Sequence, residues 1–214
     1  MPETDSIVAE QFTSRPQQQH AATLGMWTFL ATEVLFFGAL FVVYTVYRHF
    51  YFADFGAASQ QTDVLFGTIN SVILLTSSLS VALAVRAAKL GNLKNVLRGL
   101  VATIFFGLSF LTVKAFEYRE DIHHHLVPGN DFTATLPPHA QVFFWLYWVM
   151  TGLHAVHVIV GILVLTTITI LASQQKNPAA KATTIELAGL YWHFVDIVWL
   201  YLYPLLYLVN RHHS

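Results

Sequence analysis

Five ionisable side chains stand deep inside apolar stretches of this chain: Glu33, His154, His157, His193 and Asp196. In hydrocarbon each such group costs roughly 2.5 to 3.5 kcal/mol on insertion scales, so a membrane helix keeps one only where protein or water receives it. His193 and Asp196 are three residues apart in the stretch Glu186 to Val209, which places them on one helix face committed to a partner. His154 and His157 have the same spacing in an earlier stretch. Neutralising an isolated carboxylate in lipid is cheaper than burying the ion, so Glu33 is expected to be neutral or hydrogen-bonded to one of the histidines.

Three kinds of chemistry fit acids and imidazoles at such depth. They can form a structural polar network between helices, they can relay protons, or Glu33 can line a pocket that takes lipid or reacts with a carbodiimide. Metal ligation is a fourth use, because His154 and His157 could face one ion with His193 opposite. Two histidines at that spacing are a weak signal, and a b-type haem wants axial histidines from different helices with apolar room between them. No metal site and no catalytic residue are expected. His123, His124 and His125 could hold an ion in a loop, but a solvated polar cluster is the expected reading.

Composition sets the class around these residues. Of 214 residues, 55% are hydrophobic and 11% charged, and the mean hydropathy is +0.54, whereas ordinary soluble chains carry roughly 25% charged residues. The chain reads as an integral membrane protein. A formal charge of -1 without a basic cluster argues against nucleic acid as a partner. Cysteine is absent, which removes disulfides, zinc-thiolate sites and iron–sulfur clusters together.

The elements that must position the five groups follow from the apolar runs. The fold class is all-α, a polytopic bundle of five transmembrane helices expected at about residues 24–47, 64–85, 97–118, 142–171 and 187–209. Residues 1–23 are expected to be a polar cytoplasmic tail without a cleavable signal, and 210–214 a short outer tail. The stretch from Arg48 to Asp63, rich in aromatics and acids, reads as interfacial, and the third span's far end is marked by Lys114 and Glu117. Arg119 to Gln141 is expected to be an irregular loop. Thr76, Ser80 and Ala84, recurring every four residues, form a small-residue stripe for close helix packing.

Placing the amino end inside puts Arg15, Arg86, Lys89, Lys94, Arg98, Lys176 and Lys181 on the inner side, against Arg48, Lys114, Arg119 and Arg211 outside. The amino terminus is therefore expected in the cytoplasm and the carboxyl terminus outside. Arg86, Lys89, Lys94 and Arg98 would face the headgroups of the inner leaflet, where each cation is worth about 1 kcal/mol of attraction. Counting the helical rise from each end, Glu33 and Asp196 fall at about the same depth, and all five buried groups are expected in one slab of the membrane.

The stretches WTFLATEVLFFGALF (Trp27 to Phe41), NSVILLTSS (Asn70 to Ser78), LTVKAFEY (Leu111 to Tyr118), MTGLHAVHVIVG (Met150 to Gly161) and ELAGLYWHFVDIVWLYLY (Glu186 to Tyr203) resemble subunit III of the haem–copper cytochrome oxidases. Compared with the seven-helix form of that family, the two amino-terminal helices are expected to be missing, as in many bacterial members. The resemblance implies an accessory subunit of a proton-pumping cytochrome c oxidase in the bacterial inner membrane, with no catalytic centre of its own. Haem and copper would belong to partner subunits. Subunit I would be the main contact, with subunit II and a small subunit IV nearby and phospholipid bound. Glu33 would match the family's buried glutamate, linked to proton uptake and stability in turnover. The corresponding subunit of a quinol oxidase or nitric oxide reductase is the alternative, and a free-standing proton or solute carrier is a second one. Asp196, on the committed face, is expected to matter more for assembly with the partner than Glu33. Pro204 should kink the outer end of the last helix.

Overall fold

The structure is a computed structural model that describes residues 12–129, 131–133, 135–174 and 182–209. Six helices follow one another: α1 Arg15–Phe50, α2 Phe52–Ser59, α3 Val64–Lys89, α4 Leu93–His123, α5 Ala140–Ser173 and α6 Ala182–Tyr207. All but α2 are long and apolar enough to cross a membrane. The described residues thus give the expected five-span, all-helical fold, with α2 as a short helix inside the interfacial stretch. Residues 1–11 and 210–214, and the link bearing Lys176 and Lys181, lie outside the described residues.

Local chemistry moves several boundaries away from the apolar runs. The helix α1 starts at Arg15 and not at Leu24, because the Ser14 side chain accepts from the Gln17 N–H and Pro16 suits the first turn. The polar residues that follow are adequate helix formers once capped. Asp63 caps α3 through Leu65 N at 2.7 Å, and Asn92 caps α4 through Asn95 N at 3.2 Å. Only Leu90, Gly91 and Asn92 separate α3 from α4, so Arg86, Lys89, Lys94 and Arg98 sit on helix ends and not in a linker. The helix α4 runs on to His123, five residues past the expected end at Tyr118. It stops where His125 takes φ 55 and the Leu126 N–H bonds back to the Asp121 carbonyl at 3.0 Å. Part of the histidine triplet is therefore a helix terminator.

The most buried span is α6, which meets α1, α3 and α5. Trp192 of α6 is fully buried, its ring between Gly107 of α4 and Gly161 of α5, and its Nε1–H donates to Ser77 Oγ of α3 at 3.0 Å. Trp199, two turns on, donates to Ser71 Oγ at 3.1 Å. Near the far end of α6, carbonyls that lack an intrahelical donor are met from elsewhere. The Tyr44 hydroxyl of α1 donates to Leu205 O, Thr62 Oγ1 to Leu206 O, and Ser59 Oγ to Val209 O. The tightest crossing joins α3 to α4, where a Cβ on Gly99 would lie 2.8 Å from the Ala84 Cβ and 3.0 Å from the Ser80 carbonyl. Two members of the small-residue stripe lie at that crossing. The least buried span is α1, which leaves an apolar groove against α6 lined by Trp27, Phe37, Phe41, His193 and Tyr201 among others.

Candidate functional site: buried ionisable groups of the bundle

Glu33 of α1 and His157 of α5 form a pair, Oε2 to Nε2 at 3.1 Å. The other ring nitrogen, Nδ1, lies 2.8 Å from the Leu153 carbonyl. A carbonyl only accepts, so Nδ1 carries hydrogen, and the Glu33 contact requires one further proton between the two partners. Either Glu33 donates to a neutral imidazole or an imidazolium donates to the carboxylate, and the pair is neutral in both cases. Phe37 lies edge-on to the imidazole at 5.1 Å, and the Tyr191 hydroxyl donates to the His157 carbonyl at 3.1 Å. A histidine partner was one of the two outcomes expected for Glu33. The two apolar grooves beside α1 do not include Glu33 in their walls. A double-mutant cycle on Glu33→Ala and His157→Ala, read by denaturation of the purified protein, should give a coupling of about 0.6 to 1.7 kcal/mol, the range of polar contacts between membrane helices. A coupling of zero would show that the two side chains do not meet.

The remaining three expected groups lie apart from this pair, His193 and Asp196 both at Ser78 and His154 elsewhere. His193 accepts from or donates to Ser78 Oγ of α3 through Nδ1 at 2.7 Å, while its ring borders the α1–α6 groove. Asp196 is 3% exposed and faces the same Ser78 hydroxyl without either carboxylate oxygen reaching hydrogen-bond geometry. His154 is 1% exposed between Phe110, at 5.5 Å, and Trp199, at 5.2 Å, and neither ring nitrogen has a protein partner among the described residues. The three histidines thus engage different surroundings, and no group of three potential metal ligands occurs among the described residues. The face of α6 carrying Asp196 points into this chain's own bundle. That removes the reason for ranking Asp196 above Glu33 in assembly with a partner, because a residue this buried touches no partner directly.

A larger constellation lies where charges seemed only to mark a helix end. Lys114, Glu117 and Asp121 are spaced by three and four residues, hence on one face of α4, and all are buried. The ammonium donates to the Tyr147 hydroxyl of α5 at 3.0 Å and the Tyr207 hydroxyl of α6 at 2.7 Å, and stands 3.1 Å from Glu117 Oε2. Tyr207 OH reaches Glu117 Oε1 at 2.6 Å, and Tyr147 OH lies 2.8 Å from both Glu117 Oε1 and Asp121 Oδ2. The Tyr118 and Tyr147 rings lie 4.8 and 4.6 Å from the ammonium. This network ties α4, α5 and α6 together at the end of the bundle that carries α2. Its sequence signal was the spacing of Lys114, Glu117 and Asp121, which an amphipathic reading of that turn would have caught. Lys114 also drops out of the surface cations counted for orientation.

The four cations of the α3–α4 turn do not act as one cluster. Arg86 and Arg98 border a groove of about 590 Å³ with Asn92 and Asn95, above an apolar wall of Leu83 and Leu90. Lys89 is paired with Glu186 of α6 at 2.9 Å, and Lys94 does not line the groove.

Comparison with known proteins places this arrangement among respiratory oxidases. The family described as cytochrome c oxidase subunit III matches residues 7–211. A haem-copper oxidase subunit I+III of Aeropyrum pernix is 36% identical over 190 residues, covering 86% of this chain and 22% of its own length. Cytochrome c oxidase subunit 3 of Corynebacterium diphtheriae is 27% identical over 206 residues, covering 95% of this chain and 96% of its own. The subunit 3 of Alkalihalophilus pseudofirmus is 31% identical over 194 residues, covering 87% of this chain and 86% of its own.

Proposed function

The chain belongs to the cytochrome c oxidase subunit III family, and from that premise we propose that it is the accessory subunit of a proton-pumping oxidase, packed against subunit I in a bacterial inner membrane. The observation that carries the reading is the engagement of several buried ionisable groups inside the bundle. Glu33 is met by His157, His193 by Ser78, and Lys114 by Glu117 and two tyrosines, all within this chain. The groups so paired need no cofactor, and the haems and coppers of the complex reside in its partners. One relative carries subunits I and III in a single chain, which supports subunit I as the main neighbour. Subunit II and a small subunit IV complete the proposed assembly, with cytochrome c as electron donor. The Glu33–His157 pair, with its one shared proton, is the proposed contribution to proton uptake.

The amino end is assigned to the cytoplasm, an orientation that removing buried Lys114 from the outer cations strengthens. In that orientation Arg86 and Arg98 flank a headgroup site for anionic phospholipid at the inner leaflet. Arg86→Gln with Arg98→Gln should therefore lower the anionic phospholipid retained by the purified complex. Lys89→Gln with Lys94→Gln should leave it near the wild-type amount; equal losses from both doubles would contradict the assignment. The functional reading is tested by stripping the chain from the purified oxidase and adding it back. Oxygen consumption should decline during sustained turnover without the chain and hold steady once it is restored. Identical time courses would refute the role.

A further inference from the structure

The buried network of α4 contains more hydrogen-bond contacts than its obvious protons can fill. Lys114 donates to the Tyr147 and Tyr207 oxygens, and its charge stands 3.1 Å from Glu117 Oε2 as an ion pair. Tyr207 supplies its one proton to Glu117 Oε1. Tyr147 also has one proton, yet its oxygen lies 2.8 Å from two carboxylate oxygens, Glu117 Oε1 and Asp121 Oδ2. Two oxygens at that distance without hydrogen between them repel, so one carboxyl must itself donate. Glu117 is already engaged by the ammonium and by Tyr207, which leaves Asp121.

Charge leads to the same residue. Lys114 and Glu117 cancel, so an ionised Asp121 would leave one uncompensated negative charge in a cluster whose three ionisable members are each at most 6% exposed. A buried, unpaired charge is among the costliest groups a fold can hold. Asp121 also has an outlet. It borders a cleft of about 390 Å³ at the α2 end of the bundle, lined in addition by Gln60, Gln61, Asp63, Glu120 and His124. The titratable groups facing Asp121 are Lys114, Glu117, Tyr118 and Glu120 of α4 with His124 at its end, Tyr147 of α5, Tyr207 of α6, and Asp63 of the turn before α3.

We propose that Asp121 and Tyr147, held by Lys114, Glu117 and Tyr207, form a binding site for one proton that exchanges with water in the cleft beside α2. In the loaded state Asp121 donates to the Tyr147 oxygen while Tyr147 donates to Glu117. On release the carboxyl O–H bond breaks, its proton passes to cleft water, and Tyr147 turns its hydroxyl to the aspartate. The site is separate from the Glu33–His157 pair and does not depend on the subunit assignment.

The test is infrared spectroscopy of the intact purified complex in the region of the protonated-carboxyl C=O stretch. The wild-type spectrum minus that of Asp121→Asn should contain such a band, and it should move to lower frequency after transfer to deuterated buffer. Tyr147→Phe should keep the band but displace it, because the hydrogen bond to the phenol is gone. Asp121→Glu, which retains a carboxyl if the amide variant does not assemble, should displace it as well. No carboxyl band in the difference spectrum, or one that Asp121→Glu and Tyr147→Phe both leave in place, would overturn the proposal. So would a band that deuterated buffer does not move.

Discussion

Lys114→Met should lower the stability of the chain by about 3 to 5 kcal/mol, the cost of removing one partner from a buried charge pair. The variant leaves Glu117 buried with only phenol donors, and the cation that stands over the rings of Tyr118 and Tyr147 is lost. Because the network joins α4 to α5 and α6, the damage should reach the whole end of the bundle near α2 and not one helix alone. The second variant separates charge from volume: Lys114→Met with Glu117→Gln removes both members of the pair, keeps an oxygen for the tyrosines, and should recover most of the loss. Denaturation midpoints of the purified complex, followed through this chain, check both. A Lys114→Met protein as stable as wild type would mean that the buried pair contributes nothing.

The second large effect is expected around Trp192. A methyl added at Gly161 would lie 2.8 Å from Trp192 Cε3 and Cζ3, and one at Gly107 would lie 2.8 Å from Cη2. The indole is held from both sides and anchored by its Nε1–H on Ser77, so it cannot retreat. Overpacking of this kind costs roughly 1 to 3 kcal/mol for each position, and between membrane helices close packing is a main source of association. Gly107→Ala and Gly161→Ala should each lower the thermal midpoint, and the double variant should lower it further. Gly38→Ala supplies the control, because nothing lies within 4 Å of a Cβ there. Trp192→Phe in the Gly161→Ala background should restore part of the loss by shrinking the ring. If Gly161→Ala behaves like Gly38→Ala, the close approach of α5 to α6 is wrong.

The five spans were legible because hydrocarbon demands about twenty apolar residues and a helix, whatever else the chain does. That Glu33 would be neutral or bonded to one of the histidines was legible for the same reason, and His157 is the histidine it meets. Which histidine it would be was not, since depth along a helix says nothing of rotation about its axis. Rotation also set His154 apart from His193 and Asp196, which meet at Ser78, although the common depth had placed all three together. Sequence assigns Asp196 to a partner-facing surface because an isolated helix shows no sign of which neighbours will surround it, whereas α6, the most buried span, keeps Asp196 inside the bundle. Helix ends were set by Ser14, Asn92 and His125, whose capping and turn chemistry overrides hydropathy, while Asp63 starts α3 where the apolar run begins. Lys114 and Glu117 were misjudged for a related reason: charges near the end of an apolar run usually reach water, but here two tyrosines from other helices receive them first.

The proposed subunit meets Glu33, His193 and Lys114 within its own bundle and leaves redox chemistry to its partners. An affinity tag on this chain, isolation in mild detergent, and the optical spectrum with metal content of each separated polypeptide test this division. The chain should co-purify with a larger polypeptide that holds the haem and copper, and should itself carry neither after separation. Stoichiometric haem or copper remaining on this chain, or its isolation without any redox partner, would contradict the account.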